Sequence, residues 1–140
     1  AKGAILGLTL QTTKADIVKA ILEGISFEIK HNMNLLESAG VEINEIRAIG
    51  GGAKSSSWLQ LKADVFGKTV VALDVSEGVS MGAAILAGTA IGIYKDTREA
   101  VEMLIKPRRT YHPNNKRQEF YLHRMENYSQ FYEAVNHITP

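Results

Sequence analysis

Apolar side chains recur every three or four positions at Val18, Ile21, Leu22, Ile25, Ile29, Met33 and Leu36. That spacing follows the 3.6-residue turn of an α-helix and predicts one long amphipathic helix with this stripe turned inward. Thr13, with Asp16 three positions on, has the form of a capping box at its start, and Gly40 supplies its stop. Ahead of it, residues 3–10 alternate loosely between small and branched side chains and read as a strand. Behind it, residues 45–49 form a short apolar run that reads as a second strand, and the serines that follow cap a helix reaching Phe66 and closed by Gly67. "KTVVALDV" has the character of a buried strand, and "MGAAILAGTAIGIY" that of a helix. A further helix begins at Asp96, with Glu99 as its box partner, and stops before Pro107. The last helix spans about residues 117–135 and carries Tyr121, Met125, Tyr128, Tyr132 and Val135 on one face.

Strands separated by helical segments predict an α/β layered domain. Three short strands are few for so much apolar helix, so further strands are expected ahead of residue 1. No repeat, low-complexity tract or Pro/Gly/Ser-rich linker divides the chain. At 140 residues it has the size of one domain and enough chain to bury a core.

Charge and composition narrow the chemistry. A formal net charge of +1 argues against a general polyanion binder, so any anion site must be local. The basic run "KPRRTYHPNNKR" has aromatic neighbours, which raises nucleic acid, but it reads more simply as a solvated face, and no nucleic-acid partner is expected. The absence of cysteine removes disulfides, thiolate metal sites and thiol nucleophiles, and fits a reducing compartment. "AKGAILGLTL" lacks the form of a signal peptide. "MGAAILAGTAIGIY" falls short of the roughly 20 apolar residues a membrane span needs, so no membrane association is expected. His31, His112, His123 and His137 have no ligand spacing, so no metal site is assigned. Asp64, Asp74 and Asp96 form no convincing carboxylate pair, and no catalytic residue is assigned within this chain.

The most pointed local feature is "GGGAKSSSW", three consecutive glycines between a short strand and a helix start. Gly50, Gly51 and Gly52 lack Cβ atoms, so they can take positive φ and allow another group close to the backbone. Their amides and those of Ala53, Lys54, Ser55 and Ser56 lie at a helix start, where the dipole is positive and an anion is welcome. Neither a Walker A loop nor GxGxxG is present. A phosphate site and a purely structural strand-to-helix turn therefore both fit. Lys54 either neutralises phosphate or is simply solvated. Trp58 either lines a base pocket or anchors the core beside Leu61 and Val65. Gly82, Ala83, Ala87 and Gly88 make a small-residue surface suited to close packing.

Taken together, "AKGAILGLTL", "IVKAILEGISFEIKHNMNLLESAG", "IRAIGGGAKSSSWLQLKADVFGKTVV" and "EGVSMGAAILAGTAIGIYKD", in this order and at these distances, resemble the C-terminal part of the FGGY carbohydrate kinases. The triple glycine followed by "AKSSSWLQLKADVFG" is most similar to the xylulokinase branch. The resemblance implies an α/β, ribonuclease H-like (actin-like ATPase) fold, with two domains closing over a cleft and ATP held mostly by the C-terminal one. It implies that residues 1–140 are that nucleotide-side domain, a piece lacking its upstream strands and the N-terminal sugar-binding domain. By position, Gly51, Gly52 and Ala53 match the family's phosphate- and adenosine-contacting turn. Ser56 stands where some members carry a nucleotide-contacting asparagine, a departure from the pattern. The family's aspartate general base belongs upstream, and no sequence of that type occurs here.

The implied function is ATP-dependent phosphorylation of a sugar hydroxyl, most simply xylulose to xylulose 5-phosphate, in a cytoplasmic homo-oligomer, with Mg²⁺ bound alongside ATP. The alternatives are another FGGY specificity (ribulose, gluconate, glycerol or a signalling sugar) or a non-catalytic nucleotide-binding module.

Overall fold

A computed structural model describes residues 3–75 and 77–138, with the side chains of residues 132, 133 and 136–138 outside that description. In chain order the elements are α1 (Lys14–Ser38), β1 (Glu45–Ala48), a 3₁₀ helix (Gly51–Lys54), α2 (Ser56–Phe66), β2 (Thr69–Leu73), α3 (Gly78–Ala90), α4 (Thr97–Leu104), β3 (Pro107–Tyr111) and α5 (Asn115–Ile138). The strands lie in the order β1, β2, β3, with β1 parallel and β3 antiparallel to β2. The described chain divides into two compact units.

One unit comprises residues 3–43, Asp64–Gly67 and residues 113–138. Its α1 starts as the sequence predicts: Thr13 Oγ1 accepts from the Asp16 amide, while an Asp16 carboxylate oxygen accepts from the Thr13 amide at 2.9 Å. The Thr13 hydroxyl also donates to that carboxylate oxygen at 2.6 Å, and this bond, followed by the one from the Thr13 amide, holds the Asp16 carboxyl below its usual range. Gly40 follows the helix at φ +89°. The buried face agrees with the predicted stripe only at Met33, which is buried, and Leu22, which is half-buried. Glu23, Ser26, Phe27 and Met33 are inside, whereas Val18, Ile21, Ile25, Ile29 and Leu36 are exposed. The physical reason is α5, whose Tyr121 and Tyr128 rings meet Phe27 at 6.1 and 5.2 Å between centroids. Two polar side chains can lie on this face because each is satisfied: the Ser26 hydroxyl donates to the Leu22 carbonyl at 2.7 Å, and Glu23 accepts from the Tyr121 hydroxyl at 3.0 Å. On α5, Tyr121 is buried and Met125, Tyr128 and Val135 are half-buried, as their spacing predicts; the Tyr132 side chain lies outside the described residues.

Residues 3–10 form no strand. Their sequence is strand-like, but Gly7 sits at φ +78° and no described strand pairs with them. An extended segment without a ladder leaves its backbone to water, and here it ends in a turn closed by the Thr12 amide on the Thr9 carbonyl.

The other unit comprises Asn44–Ala63 and Lys68–His112. Its core lies along β2, where Val70, Val71 and Ala72 are buried, with Leu59 and Ala63 of α2. β3 falls within the basic run that the sequence suggests is a solvated face. Pro107 opens it, a position where the missing N–H costs least. α3 stops at Ala90, short of the predicted end, because Gly92 turns the chain at φ +76°. α4 is capped by Asp96, which accepts from the Glu99 amide at 2.9 Å, but the Glu99 side chain bonds the Lys95 amide rather than closing a box on Asp96.

Candidate functional site

The turn between β1 and α2 carries the candidate residues. Gly50 has φ 76° and ψ −165°, a region that only glycine occupies readily. Gly51 and Gly52 have no positive φ, so the conformational argument, made on sequence for all three, holds for Gly50 alone. Their bareness has other consequences. A Cβ on Gly51 would meet nothing within 4 Å, while one on Gly52 would come within 3.1 Å of the Trp58 ring. From Gly50 the chain winds into one 3₁₀ turn, Gly51–Lys54, closed by the Ala53 amide on the Gly50 carbonyl at 3.1 Å. Ser55 then caps α2, its Oγ accepting from the Trp58 amide at 3.3 Å. Ala53 is buried; Gly51, Lys54, Ser55 and Ser56 are exposed.

Trp58 does not anchor the core as the sequence suggests. It is half-buried, like Leu61, and the inward residues of α2 are Leu59, Ala63, Val65 and Phe66. The indole lies over Gly52 on one side, and on another the Lys62 ammonium stands 4.1 Å from its ring centroid. Burial of Lys62 lowers its pKa, because desolvation penalises the charged form. Trp58 Nε1 is buried without a hydrogen-bond partner among the described residues.

Two side chains that sequence reasoning missed hold this turn. Arg108 Nη2 donates to the Ala53 carbonyl at 2.7 Å, and the Tyr111 hydroxyl donates to Ser56 Oγ at 3.0 Å. Both come from β3. The available signal was Pro107 followed by Thr110 and Tyr111, an edge-strand composition hidden inside a basic run.

The small-residue surface of α3 narrows to one position. Gly88 is buried against the Tyr94 ring, whereas Gly82 has open space where a Cβ would stand, and Ala83 and Ala87 are exposed. Among the described residues, no group of three or more His, Asp or Glu side chains is gathered for a metal, and no helix is long and apolar enough to cross a membrane.

The turn opens on Gly50 and Gly51 with free space beside the backbone, and comparison with known proteins gives the family. The C-terminal domain of the FGGY family of carbohydrate kinases matches residues 1–91. A xylulose kinase of Staphylococcus epidermidis is 42% identical over 134 residues, which covers 96% of this chain and 26% of that protein. A glycerol kinase of Rhodopirellula baltica is 38% identical over 120 residues, 85% of this chain and 22% of that protein. The ligand-bound xylulose kinase structure from Lactobacillus acidophilus superposes with a TM-score of 0.86 at 27% identity, covering 97% of this chain and 28% of that one. The chain thus spans about a quarter of the length of the relatives it matches. Its α/β fold is that of these sugar kinases. The chain belongs to the FGGY family of carbohydrate kinases, within which it corresponds to the C-terminal domain.

Proposed function

We propose that this chain is the nucleotide-side domain of an ATP-dependent sugar kinase, with residues 50–56 receiving the phosphates of ATP and xylulose as the sugar phosphorylated. The observation that carries the reading is the turn itself. A glycine-only conformation at Gly50 delivers the chain into Gly51, where a Cβ would meet nothing within 4 Å, and on to the exposed Ser55 and Ser56, so anionic oxygens have open room at the start of the turn. Gly51 and Gly52 supply amides that the 3₁₀ turn does not itself use, Ser55 and Ser56 the hydroxyls, and Lys54 an exposed positive charge, while the Ala53 amide is spent on the Gly50 carbonyl. ATP brings the transferable phosphoryl group, and Mg²⁺ enters on its phosphates. Within this domain the work is binding and orientation, which is most of what phosphoryl transfer asks of a protein. The base that takes the sugar's proton belongs to the other part of the kinase. The proposed setting is the cytoplasm, as a homo-oligomer.

The identity of 42% to a xylulose kinase over nearly the whole chain favours xylulose. The 38% identity to a glycerol kinase supports the second reading, a different sugar or polyol with the same nucleotide site.

The test uses the full-length protein. Gly50→Val places a branched side chain in a region closed to it. It is expected to abolish ATP binding measured by calorimetry while sugar binding persists. A folded variant with unchanged ATP affinity refutes the phosphate turn. Sugar-dependent ADP release across a panel of ketoses, gluconate and glycerol separates the two specificities.

A further inference from the structure

The pairing of β3 with β2 contains an irregularity at the place where the turn is held. Val70, Val71 and Ala72 pair with Tyr111, Thr110 and Arg109 in step, and then Leu73 pairs with Pro107. Arg108 is therefore an extra residue on β3, opposite no residue of β2. In a regular strand, residues 108 and 111 would point to opposite faces. An inserted residue resets that alternation and re-aims its own side chain. Here both Arg108 and Tyr111 reach the same short segment, at Ala53 and Ser56.

We propose that the β3 bulge, through Arg108 and Tyr111, sets the orientation of the donors that residues 50–56 present to ATP; this rests on the phosphate reading of that turn. The two side chains act differently. A trans peptide is planar, with its carbonyl and its amide pointing opposite ways. When Arg108 holds the Ala53 carbonyl at 2.7 Å, it fixes the Ala53–Lys54 peptide plane, which anchors the 3₁₀ turn Gly51–Lys54 and so the direction of the Gly51 and Gly52 amides that the turn itself does not use. A guanidinium suits this task because its charge strengthens the bond and its planar fork limits rotation. Tyr111 works on a hydroxyl. Its O–H donates to Ser56 Oγ at 3.0 Å and occupies one acceptor position of that oxygen. The Ser56 proton is then directed elsewhere, available to a phosphate oxygen. Tyr111 is itself held firmly: it is buried, and the Arg109 guanidinium carbon lies 5.4 Å from its ring centroid. At the end of β3, the Gln60 side-chain amide donates to the His112 carbonyl at 2.8 Å, tying the strand to α2 beyond the turn. Arg108 and Tyr111 are positioning residues, acting through Ala53 and Ser56.

The experiment measures KM for ATP, KM for the sugar and kcat in the full-length kinase, alongside the melting temperature. Arg108→Met is expected to raise KM for ATP about tenfold, the loss of one charge-assisted hydrogen bond, and to leave KM for the sugar unchanged. Arg108→Lys, which keeps a charged donor, is expected to recover most of that loss. Tyr111→Phe and Ser56→Ala are each expected to raise KM for ATP about threefold, and the double variant no further, because both act through one hydroxyl. This cycle also carries the test if Arg108→Met fails to fold. Unchanged KM for ATP in Tyr111→Phe and in Arg108→Met overturns the proposal, as does unchanged KM in both Tyr111→Phe and Ser56→Ala where Arg108→Met does not fold, and so does a parallel loss of sugar affinity, which marks a merely structural strand. If Gly50→Val abolishes ATP binding in the same series, that failure leaves the phosphate turn intact; if Gly50→Val is also silent, the turn reading falls first.

Discussion

The turn at residues 50–56 and the buried carboxylates Glu23 and Asp64 are both held by hydrogen bonds from distant parts of the sequence, yet the bonds serve opposite ends. At the turn, Arg108 and Tyr111 each engage one polar atom and leave its neighbours facing out. At the carboxylates the bonds consume the polar group. Asp64 is 1% exposed and accepts from the Asn114 amide at 2.9 Å and from Arg117 Nη1 at 3.3 Å, and Glu23 is 6% exposed and accepts from Tyr121. A lost bond at a buried carboxylate strands a desolvated charged group, whereas at the turn Arg108 and Ser56 are exposed and water reaches their side of each bond. Stability is therefore concentrated at the carboxylates, and orientation at the turn.

The largest effect that tests this contrast comes from Asp64→Ala. Arg117 is well exposed and its ion pair adds little, but the Asn114 amide loses its acceptor. A stability loss of about 2 kcal/mol is expected from urea unfolding, with nucleotide affinity per folded molecule unchanged. A matching loss of affinity would erase the distinction between the two regions.

Alkaline pH probes the second carboxylate. Burial pushes the Tyr121 hydroxyl from 10.0 up to about 12, with the neighbouring charge of Glu23 and its hydrogen bond adding to the rise. Between those values the unfolded chain sheds the phenolic proton and the folded chain keeps it. The folded state then binds more protons, so stability falls as pH rises through that window. Tyr128, raised by burial and by Glu28, contributes with the same sign. Glu23→Gln removes one cause, so unfolding midpoints followed over the window should decline less in that variant. An identical decline would show that Glu23 has no part in it.

The smallest effect applies the contrast between enclosed and open positions to α3. A Cβ at Gly88 would come within 2.6 Å of the Tyr94 ring, and Gly88→Ala should cost about 1 kcal/mol. Gly82 meets nothing within 4 Å, and Gly82→Ala should stabilise by up to about 1 kcal/mol through helix propensity. Thermal melts of both variants decide it, and equal signs would contradict the difference in packing.

What the sequence disclosed depended on the range of the forces involved. The capping pair Thr13 and Asp16, the stop at Gly40 and the glycine turn are local, and periodicity with turn chemistry found them. The buried side of α1 is hard to read from the sequence because the apolar stripe of Val18, Ile25 and Ile29 is stronger than the signal from Phe27, and only the contact with α5 reveals the latter. Residues 3–10 have strand composition, but a ladder partner decides whether a strand forms. β3 is not legible in the sequence because "PRRTY" lies inside a basic run, and its role depends on an insertion defined only by pairing with β2. Arg108 and Tyr111 lie more than fifty positions from the residues they hold, a distance at which one sequence carries no pairing information.

The exposed stripe of α1 has a thermodynamic consequence of its own. Burying an aliphatic side chain completely is worth about 1.5–3 kcal/mol, and Val18, Ile21, Ile25, Ile29 and Leu36 are still partly in water. A surface that closed over all five would contribute several kcal/mol, comparable to the whole folding stability of a small domain. By mass action, the apparent stability of α1 would then rise with the concentration of whatever covers it.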